Sequence, residues 1–322
     1  MNTAHIVHVH GLIVGSEFAL NIDRHDGNLL PQISILNGER RAVGSDVPSG
    51  RLMARYVSGG RNAYSMAQDD EGYLLRFHGT CEFRFSADLR VITCHLAPES
   101  PNAYAPLFAS GTVLSVALML LGHPVLHASA VERDGVSLAL LGRSGQGKST
   151  LATMLCAAGG RLVTDDVLRV DWVDELAHCR LGVTEIRLRE GSRSLADDAQ
   201  PDPAKHRRTE DARIALSLPA SDADCSRLAS ILIPLPSHDA ARVSVEWLPP
   251  AKAMAAVLQF PRVVGWSDPV TNRRHFEHVA RLARGVPVGV VTVPWGPPFP
   301  PGLADDIFEV GLAQPAPSGQ RR

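Results

Sequence analysis

A glycine-rich segment at residues 142–150 carries the residue types that bind a nucleoside triphosphate. Gly142, Gly147, Lys148 and Ser149 fit the pattern G-x-x-x-x-G-K-[ST], between the apolar run VSLALLG and the helix-forming stretch KSTLATML. In such a loop the backbone N–H groups converge on phosphate oxygens, and the start of the helix adds partial positive charge. The predicted phosphate-binding residues are Gly142, Arg143, Ser144, Gly145, Gln146, Gly147, Lys148, Ser149 and Thr150.

Two adjacent aspartates follow this loop and add acid–base and metal-binding chemistry. Lys148 would neutralise the β- and γ-phosphates, and the Ser149 hydroxyl would ligate Mg²⁺. Asp165 and Asp166 end the apolar strand RLVTDD, which we expect beside the strand that precedes the loop. One carboxylate can hold Mg²⁺, and the other can deprotonate an attacking hydroxyl. The spacing predicts a phosphotransferase that uses ATP and Mg²⁺, although a helix cap or a solvated turn would also place carboxylates here.

The elements that must position these groups change character along the chain of 322 residues. The first hundred residues contain short β-branched and aromatic runs separated by Gly, Asn and Asp, which predict a β-rich domain over residues 1–104. A helix is expected at 109–121. From His127 onward the order hairpin, buried strand, glycine-rich turn, helix and strand predicts an α/β domain over residues 105–312. The Pro- and Ser-containing end, residues 313–322, is predicted to be a disordered tail.

Composition narrows the class of protein. Apolar residues make up 45% and charged residues 20%, with a formal net charge of −2, so neither nucleic acid nor a membrane surface is an expected partner. The most apolar segment, residues 111–126, is interrupted by Gly122 and Pro124 and is too short to span a bilayer. Five cysteines without a C-x-x-C pair favour free thiols in a reducing compartment, and no signal segment is recognised. The predicted location is the cytoplasm.

Known nucleotide-binding classes differ in what accompanies the loop. The serine-glycine signature of ABC-type ATPases and the N-K-x-D motif of GTPases are not found in the sequence. His127, in LHASAV, precedes the loop GRSGQGKSTLA and the segment GGRLVTDDV, and these three elements together resemble the catalytic core of HPr kinase/phosphorylase. That family phosphorylates a seryl side chain.

The resemblance implies roles for individual residues. It makes Asp165 the acid/base, His127 its neighbour, and Asp166 a partner of Mg²⁺ or phosphate. The family also has a Glu-Ile-Arg segment that helps to hold metal, and TEIRLREG offers Glu185 and Arg187 here. The fold implied is an HPr-kinase-like P-loop α/β core with a β-rich N-terminal domain. The opening VHGLIVGSEFAL and the helix before GHPVLHASAV resemble HPr-kinase-related proteins of lasso-peptide and other peptide-maturation systems.

Basic residues after the aspartates suggest where an acceptor would bind. Arg187, Arg207 and Arg208 could pair with carboxylates of a peptide, while the basic stretch AKHRRTEDAR could equally be a solvated loop. The prediction is an ATP-dependent serine kinase acting on a peptide or protein, such as a ribosomal lasso-type precursor. A kinase for free serine or another small metabolite, and a regulator that binds ATP and peptide without transfer, remain alternatives. Homo-oligomerisation is also open.

Overall fold

The computed structural model describes residues 5–20, 22, 29–143, 145–202, 205–209, 213–296 and 298–313. The chain forms two compact units, one made of Met1–Val125 with Arg262–Phe276 and the other of Leu126–Pro261 with Glu277–Arg322. The boundary expected at residue 104 therefore lies earlier than this division, and a later segment returns to the first unit. Most of the expected tail, residues 314–322, lies outside the described residues.

The first unit contains a twisted sheet in the strand order β1-β2-β3-β8-β7-β6-β5-β4. Consecutive strands from β4 to β8 pair antiparallel, whereas β3 pairs parallel with β2 and β8. The aromatic rings of Phe83 and Phe85 are fully buried and anchor the core on one face. The β-rich character predicted for this region is confirmed. The strands are β1 (His5–Val9), β2 (Leu12–Ser16), β3 (Ile33–Asn37), β4 (Arg51–Ser58), β5 (Arg61–Asp69), β6 (Gly72–Phe77), β7 (Cys81–Ser86) and β8 (Val91–Leu96).

The helical segment after this sheet starts earlier than expected. It runs as α1 (Tyr104–Phe108), a π turn (Ala109–Val113) and α2 (Leu114–Leu120). Pro106 does not prevent the earlier start, because it lies in the first turn, where the backbone N–H groups have no partner within the helix. The domain boundary predicted from the proline content thus falls inside a helix.

The second unit is a mixed α/β structure. The short strand β9 (Val125–Leu126) lies at the division between the two units. The strands that follow it are β10 (Ala128–Arg133), β11 (Val136–Leu141), β12 (Arg161–Thr164), β13 (Leu168–Val173), β14 (Leu176–Arg180), β15 (Glu185–Arg189), β16 (His206–Arg208), β17 (Arg213–Ser217), β18 (Cys225–Ser237), β19 (Ser244–Trp247) and β20 (Val288–Pro294). The helices are α3 (Lys148–Ala157), a 3₁₀ turn (Glu190–Ser192) leading into α4 (Arg193–Ala199), α5 (Pro250–Val257), α6 (Pro269–Gly285), whose start belongs to the first unit, and α7 (Leu303–Leu312).

The large sheet of this unit has the order β12-β10-β11-β18-β14-β13, with β20 also on β18 and β19 on β20. The hairpin β10–β11 and the strand β12 after α3 form as predicted. The prediction that β12, which precedes the two aspartates, lies beside β11, which precedes the glycine-rich loop, is wrong. β10 lies between β11 and β12, because it pairs antiparallel with both. The hairpin arm occupies the edge of β11, so the chain leaving α3 pairs one strand further out.

This arrangement brings several chain segments to one edge of the sheet. β11 and β18 run parallel, as do β18 and β20. β12 runs in the same direction as β11, because both are antiparallel to β10. The carboxyl ends of β11, β12 and β20 therefore meet at one edge, together with the start of β10. Ligands of open α/β sheets bind at this edge.

Apolar side chains cover both faces of the sheet. On β11, Leu138 and Leu140 point to one side, where α3, α7 and a small sheet of β15, β17 and β16 pack. Ala139 and Leu141 point to the other side, where α5 and the end of α6 pack. The near-continuous apolar run of β11 reflects burial on both faces.

Thiol and membrane features can be stated for the described residues. The five cysteines are free thiols, and all except Cys225 are buried. Burial raises the pKa of the Cys156 thiol to about 12, so this side chain behaves as a small apolar group. Among the helices that the structure describes, none has both the length and the apolar content to cross a bilayer.

Candidate active site

The glycine-rich loop, residues 142–147, joins the carboxyl end of β11 to α3. Gly145 and Gly147 have φ of 89° and 85°, in the left-handed region that glycine adopts without penalty. Gly147 is the N-cap of α3, and no side chain caps the helix, so the N–H groups of its first turn are available to a ligand. The Gln146 side-chain oxygen accepts a hydrogen bond from the Arg143 N–H at 2.5 Å and braces the turn. Ser144 lies outside the described residues.

Lys148 begins α3 and folds its side chain back over the loop. It is 5% exposed. Its ammonium group donates to the carbonyl oxygen of Gly142 at 2.8 Å and to Nε2 of His127 at 3.1 Å. The positive charge is therefore held above the loop amides, where phosphate oxygens would lie.

Asp165 is buried beneath the loop and faces the hydroxyl of Ser149. Each carboxylate oxygen accepts from Ser149 Oγ at 3.2 Å, and Oδ1 also accepts from Ser129 Oγ at 2.5 Å. Burial raises the pKa of Asp165, and the neighbouring charge of Asp166 adds to this, while the Ser129 hydrogen bond opposes it. Ser129 comes from the start of β10 and reaches the carboxylate because β10 lies beside β12.

Asp166 points into a different environment from its neighbour. Its φ of 71° turns the chain sharply after β12, so the two side chains diverge. One carboxylate oxygen lies 2.9 Å from Nδ1 of His127, and the other lies 4.0 Å from a guanidinium nitrogen of Arg187. Asp166 is thus partly exposed and has the guanidinium of Arg187 near its carboxylate, whereas Asp165 is buried.

His127 connects Asp166 to Lys148. An ammonium group only donates, so Nε2 of His127 must accept from Lys148, and the ring proton then resides on Nδ1. That Nδ1–H points to Asp166. In this arrangement the imidazole orients the carboxylate of Asp166.

The structure does not bring the other predicted ligand residues to this point. Glu185 on β15 accepts two hydrogen bonds from the guanidinium of Arg207, at 2.8 and 2.7 Å, so its carboxylate is paired with a cation. Arg207 and Arg208 occupy opposite faces of β16, and Arg208 lies 4.0 Å from Glu190. Arg187 alone of the three predicted substrate arginines lies beside the aspartates.

These groups surround a cleft of about 410 Å³, within the usual range for small-molecule sites. Its lining residues are His127, Gly145, Gly147, Lys148, Ser149, Thr150, Asp165, Asp166, Arg187, Leu188, Arg189, Ser192, Arg213 and Trp295. Sequence reasoning missed Ser129, Arg189, Arg213 and Trp295. The alternation in EIRLR could have placed Arg189 on the same face as Arg187, but nothing local connects Trp295 to the loop.

The residues present fit a magnesium-bound triphosphate. The loop amides and Lys148 suit phosphate oxygens, and the pair Ser149–Asp165 provides hard oxygen ligands. Among the residues described, no group of three or more His, Cys, Asp or Glu side chains could by itself hold a metal ion. Mg²⁺ suits such a site, because it is usually bound by one or two protein ligands together with water and phosphate. A cation here would also compensate the buried carboxylate of Asp165.

Gly147→Ala is expected to destabilise the protein and to weaken Mg-ATP binding. The left-handed φ of 85° costs a non-glycine residue about 1–2 kcal/mol, and the added Cβ would overlap the ring of Trp295. Thermal unfolding and titration with Mg-ATP measure both effects. Gly191→Ala is the control, because a Cβ there would meet open space. Equal stability and affinity in both variants would show that the loop does not require this backbone shape.

No family model and no curated protein matches the sequence. Among solved structures, the chain has similarity to the HPr(Ser) kinase/phosphatase from Coxiella burnetii, with 13% identity and a TM-score of 0.28, over 54% of this chain and 87% of that chain. A similarity of this extent leaves the function to be argued from the cleft itself.

Proposed function

We propose that the protein is an ATP-dependent phosphotransferase that transfers the γ-phosphoryl group to a serine hydroxyl of a peptide or protein. The observation that carries this proposal is the pair of aspartates. One lies buried against the loop serine, and its neighbour is exposed to the cleft and held by a histidine. A protein that only binds nucleotide has use for the first carboxylate but not for the second.

The metal-binding role fits Asp165 better than Asp166. Ser149 Oγ lies 3.2 Å from both oxygens of Asp165, and a P-loop serine and an acidic strand end share Mg²⁺ in P-loop enzymes. Bound Mg-ATP would supply the phosphoryl group and the charge of the cation. Ser129 holds Asp165 in position from the side away from the loop.

The base role fits Asp166, which exchanges the two roles expected from the sequence. Asp166 is partly exposed to the cleft, so an acceptor hydroxyl can approach it, whereas Asp165 is 8% exposed. As the hydroxyl oxygen forms its bond to phosphorus and the bond from phosphorus to the leaving oxygen of ADP breaks, Asp166 takes the hydroxyl proton. His127 orients the carboxylate through Nδ1–H. Arg187 supports its charge from the other side.

The acceptor class is inferred from the charge of the cleft. A serine in a peptide suits an open cleft bordered by cationic strands, where Arg187 and Arg213 could pair with acidic groups near the acceptor. Arg207 and Arg208 fit this role less well. Arg207 is paired with Glu185, and Arg208 lies on the opposite face of β16. The resemblance to HPr kinase/phosphorylase and to kinases of peptide maturation points to the same acceptor class. Free serine is the alternative small acceptor.

Incubation of the protein with Mg-ATP and candidate acceptors tests the proposal. We expect mass spectrometry to find a mass increase of one phosphoryl group on a serine of a peptide, and we expect Asp166→Asn to slow its appearance by at least about 100-fold. Faster phosphorylation of free serine than of every serine peptide tried would favour the metabolite kinase. Tight Mg-ATP binding without transfer to any acceptor would favour the nucleotide-dependent regulator and would contradict the kinase.

A further inference from the structure

Arg189 is a cation of the cleft with no partner in the part of the chain that the structure describes. It is the last residue of β15 and lines the cleft beside the glycine-rich loop. Its Nη2 lies 3.2 Å from the position that a Cβ on Gly145 would occupy, so the guanidinium faces the loop itself. The side chain of Arg189 makes no hydrogen bond or ion pair with any described residue.

The surroundings of Arg189 carry excess positive charge. Among the described residues that line the cleft, the cations are Lys148, Arg187, Arg189 and Arg213, and the carboxylates are Asp165 and Asp166. Arg189 and Arg213 are directly opposite each other in the β15–β17 register, so two guanidinium groups come from neighbouring strands. This arrangement suits a ligand with several negative charges.

The position of Arg189 along its strand indicates which charges it would meet. Residues two apart on a strand point to the same face and are separated by roughly 6.6 Å. Arg187 reaches towards Asp166, the proposed base, and Arg189 reaches towards Gly145 in the loop. Arg187 and Arg189 therefore line one side of the cleft, with Arg187 beside the proposed base and Arg189 beside the loop, where the phosphates of a nucleotide would bind.

We propose that Arg189 contacts the γ-phosphoryl oxygens and stabilises the negative charge that is redistributed during transfer, as an arginine finger carried within the same chain. This inference rests on the proposed phosphotransferase function. A guanidinium presents several donors in a planar fork that matches phosphoryl oxygens, and it keeps its charge at all working pH values. Arginines in this role contribute about 10³- to 10⁵-fold to the rate of P-loop enzymes.

Binding of Mg-ADP with and without fluoroaluminate tests Arg189 independently of any acceptor. Fluoroaluminate imitates the phosphoryl group in the transition state of transfer. Wild-type protein is therefore expected to bind Mg-ADP more tightly in its presence. Arg189→Ala should keep the affinity for Mg-ADP alone within about twofold, should lose the tightening, and should transfer phosphate at least about 100-fold more slowly. Arg189→Lys should restore part of both effects, because a point charge remains.

Arg193→Ala is the matched control, because Arg193 is 67% exposed, pairs with Glu190 and does not line the cleft. It should behave as wild type in both measurements. Retention of the fluoroaluminate effect in Arg189→Ala would overturn the inference. So would a variant whose only defect is a raised KM for the acceptor, since Arg189 would then bind the acceptor. Failure of wild-type protein to bind Mg-ADP at all would remove the proposed function as well.

Discussion

Lys148→Ala is expected to weaken Mg-ATP binding by about 10- to 100-fold, the loss that follows from removing one or two charge-assisted hydrogen bonds. The side chain is 5% exposed and holds its ammonium group over the loop through the Gly142 carbonyl oxygen. Without it, that carbonyl oxygen loses its charged partner and the loop loses the positive charge that attracts phosphate. Phosphoryl transfer should fall further than binding, because the same charge stabilises the transferring group.

Calorimetric titration with Mg-ATP measures the first effect, and the rate of acceptor phosphorylation measures the second. Lys252→Ala is the control, because Lys252 is an exposed lysine on α5 whose loss should change neither. The melting temperature of each variant shows that it is folded. Unchanged ATP affinity in a folded Lys148→Ala protein would contradict the assignment of residues 142–150 as the nucleotide site.

Asp166→Asn is expected to retain Mg-ATP affinity and to lose phosphoryl transfer by about 10²- to 10⁴-fold, the usual contribution of a general base. The amide keeps the size of the side chain but cannot take a proton from the acceptor. Asp165→Asn should instead raise the Mg²⁺ concentration needed for half-maximal transfer, because Ser149 loses its charged partner. Titration of both variants with Mg²⁺ at saturating ATP separates the two roles. The opposite pair of phenotypes would restore the assignment expected from the sequence.

Stability without ligand provides a second readout for the same pair. Burial raises the pKa of Asp165 in the folded state, so the protein is stabilised by this group below the unfolded pKa and loses that contribution as pH rises through the folded pKa. When the Asp165 carboxyl ionises in the folded protein, its burial costs stability. Asp165→Asn should therefore melt at the same temperature as wild type or higher, yet gain less stability from Mg-ATP. A lower melting temperature would show that Asp165 is mainly structural.

The sequence by itself determined the glycine-rich loop, the start of the helix after it and the buried strand before it. Glycines at 145 and 147 adopt positive φ, Lys148 and Ser149 start a helix, and an apolar run buried on both faces precedes the loop. Each of these depends on a residue's own backbone preferences and on neighbours a few positions away. For the same reason the strand that ends before Asp165 and the hairpin that follows His127 could be predicted.

Only the tertiary structure decided which side chains contact each of the two aspartates. β10 lies between β11 and β12, and this places Ser129 and Ser149 on Asp165 while leaving Asp166 to His127. The order of strands depends on hydrogen bonds between segments far apart in sequence, which no local pattern encodes. Pairing of Glu185 with Arg207, the approach of Arg189 to the loop and the position of Trp295 have the same origin. Residue types and spacing show which side chains could take part in the proposed chemistry, and long-range strand pairing decides which of them meet.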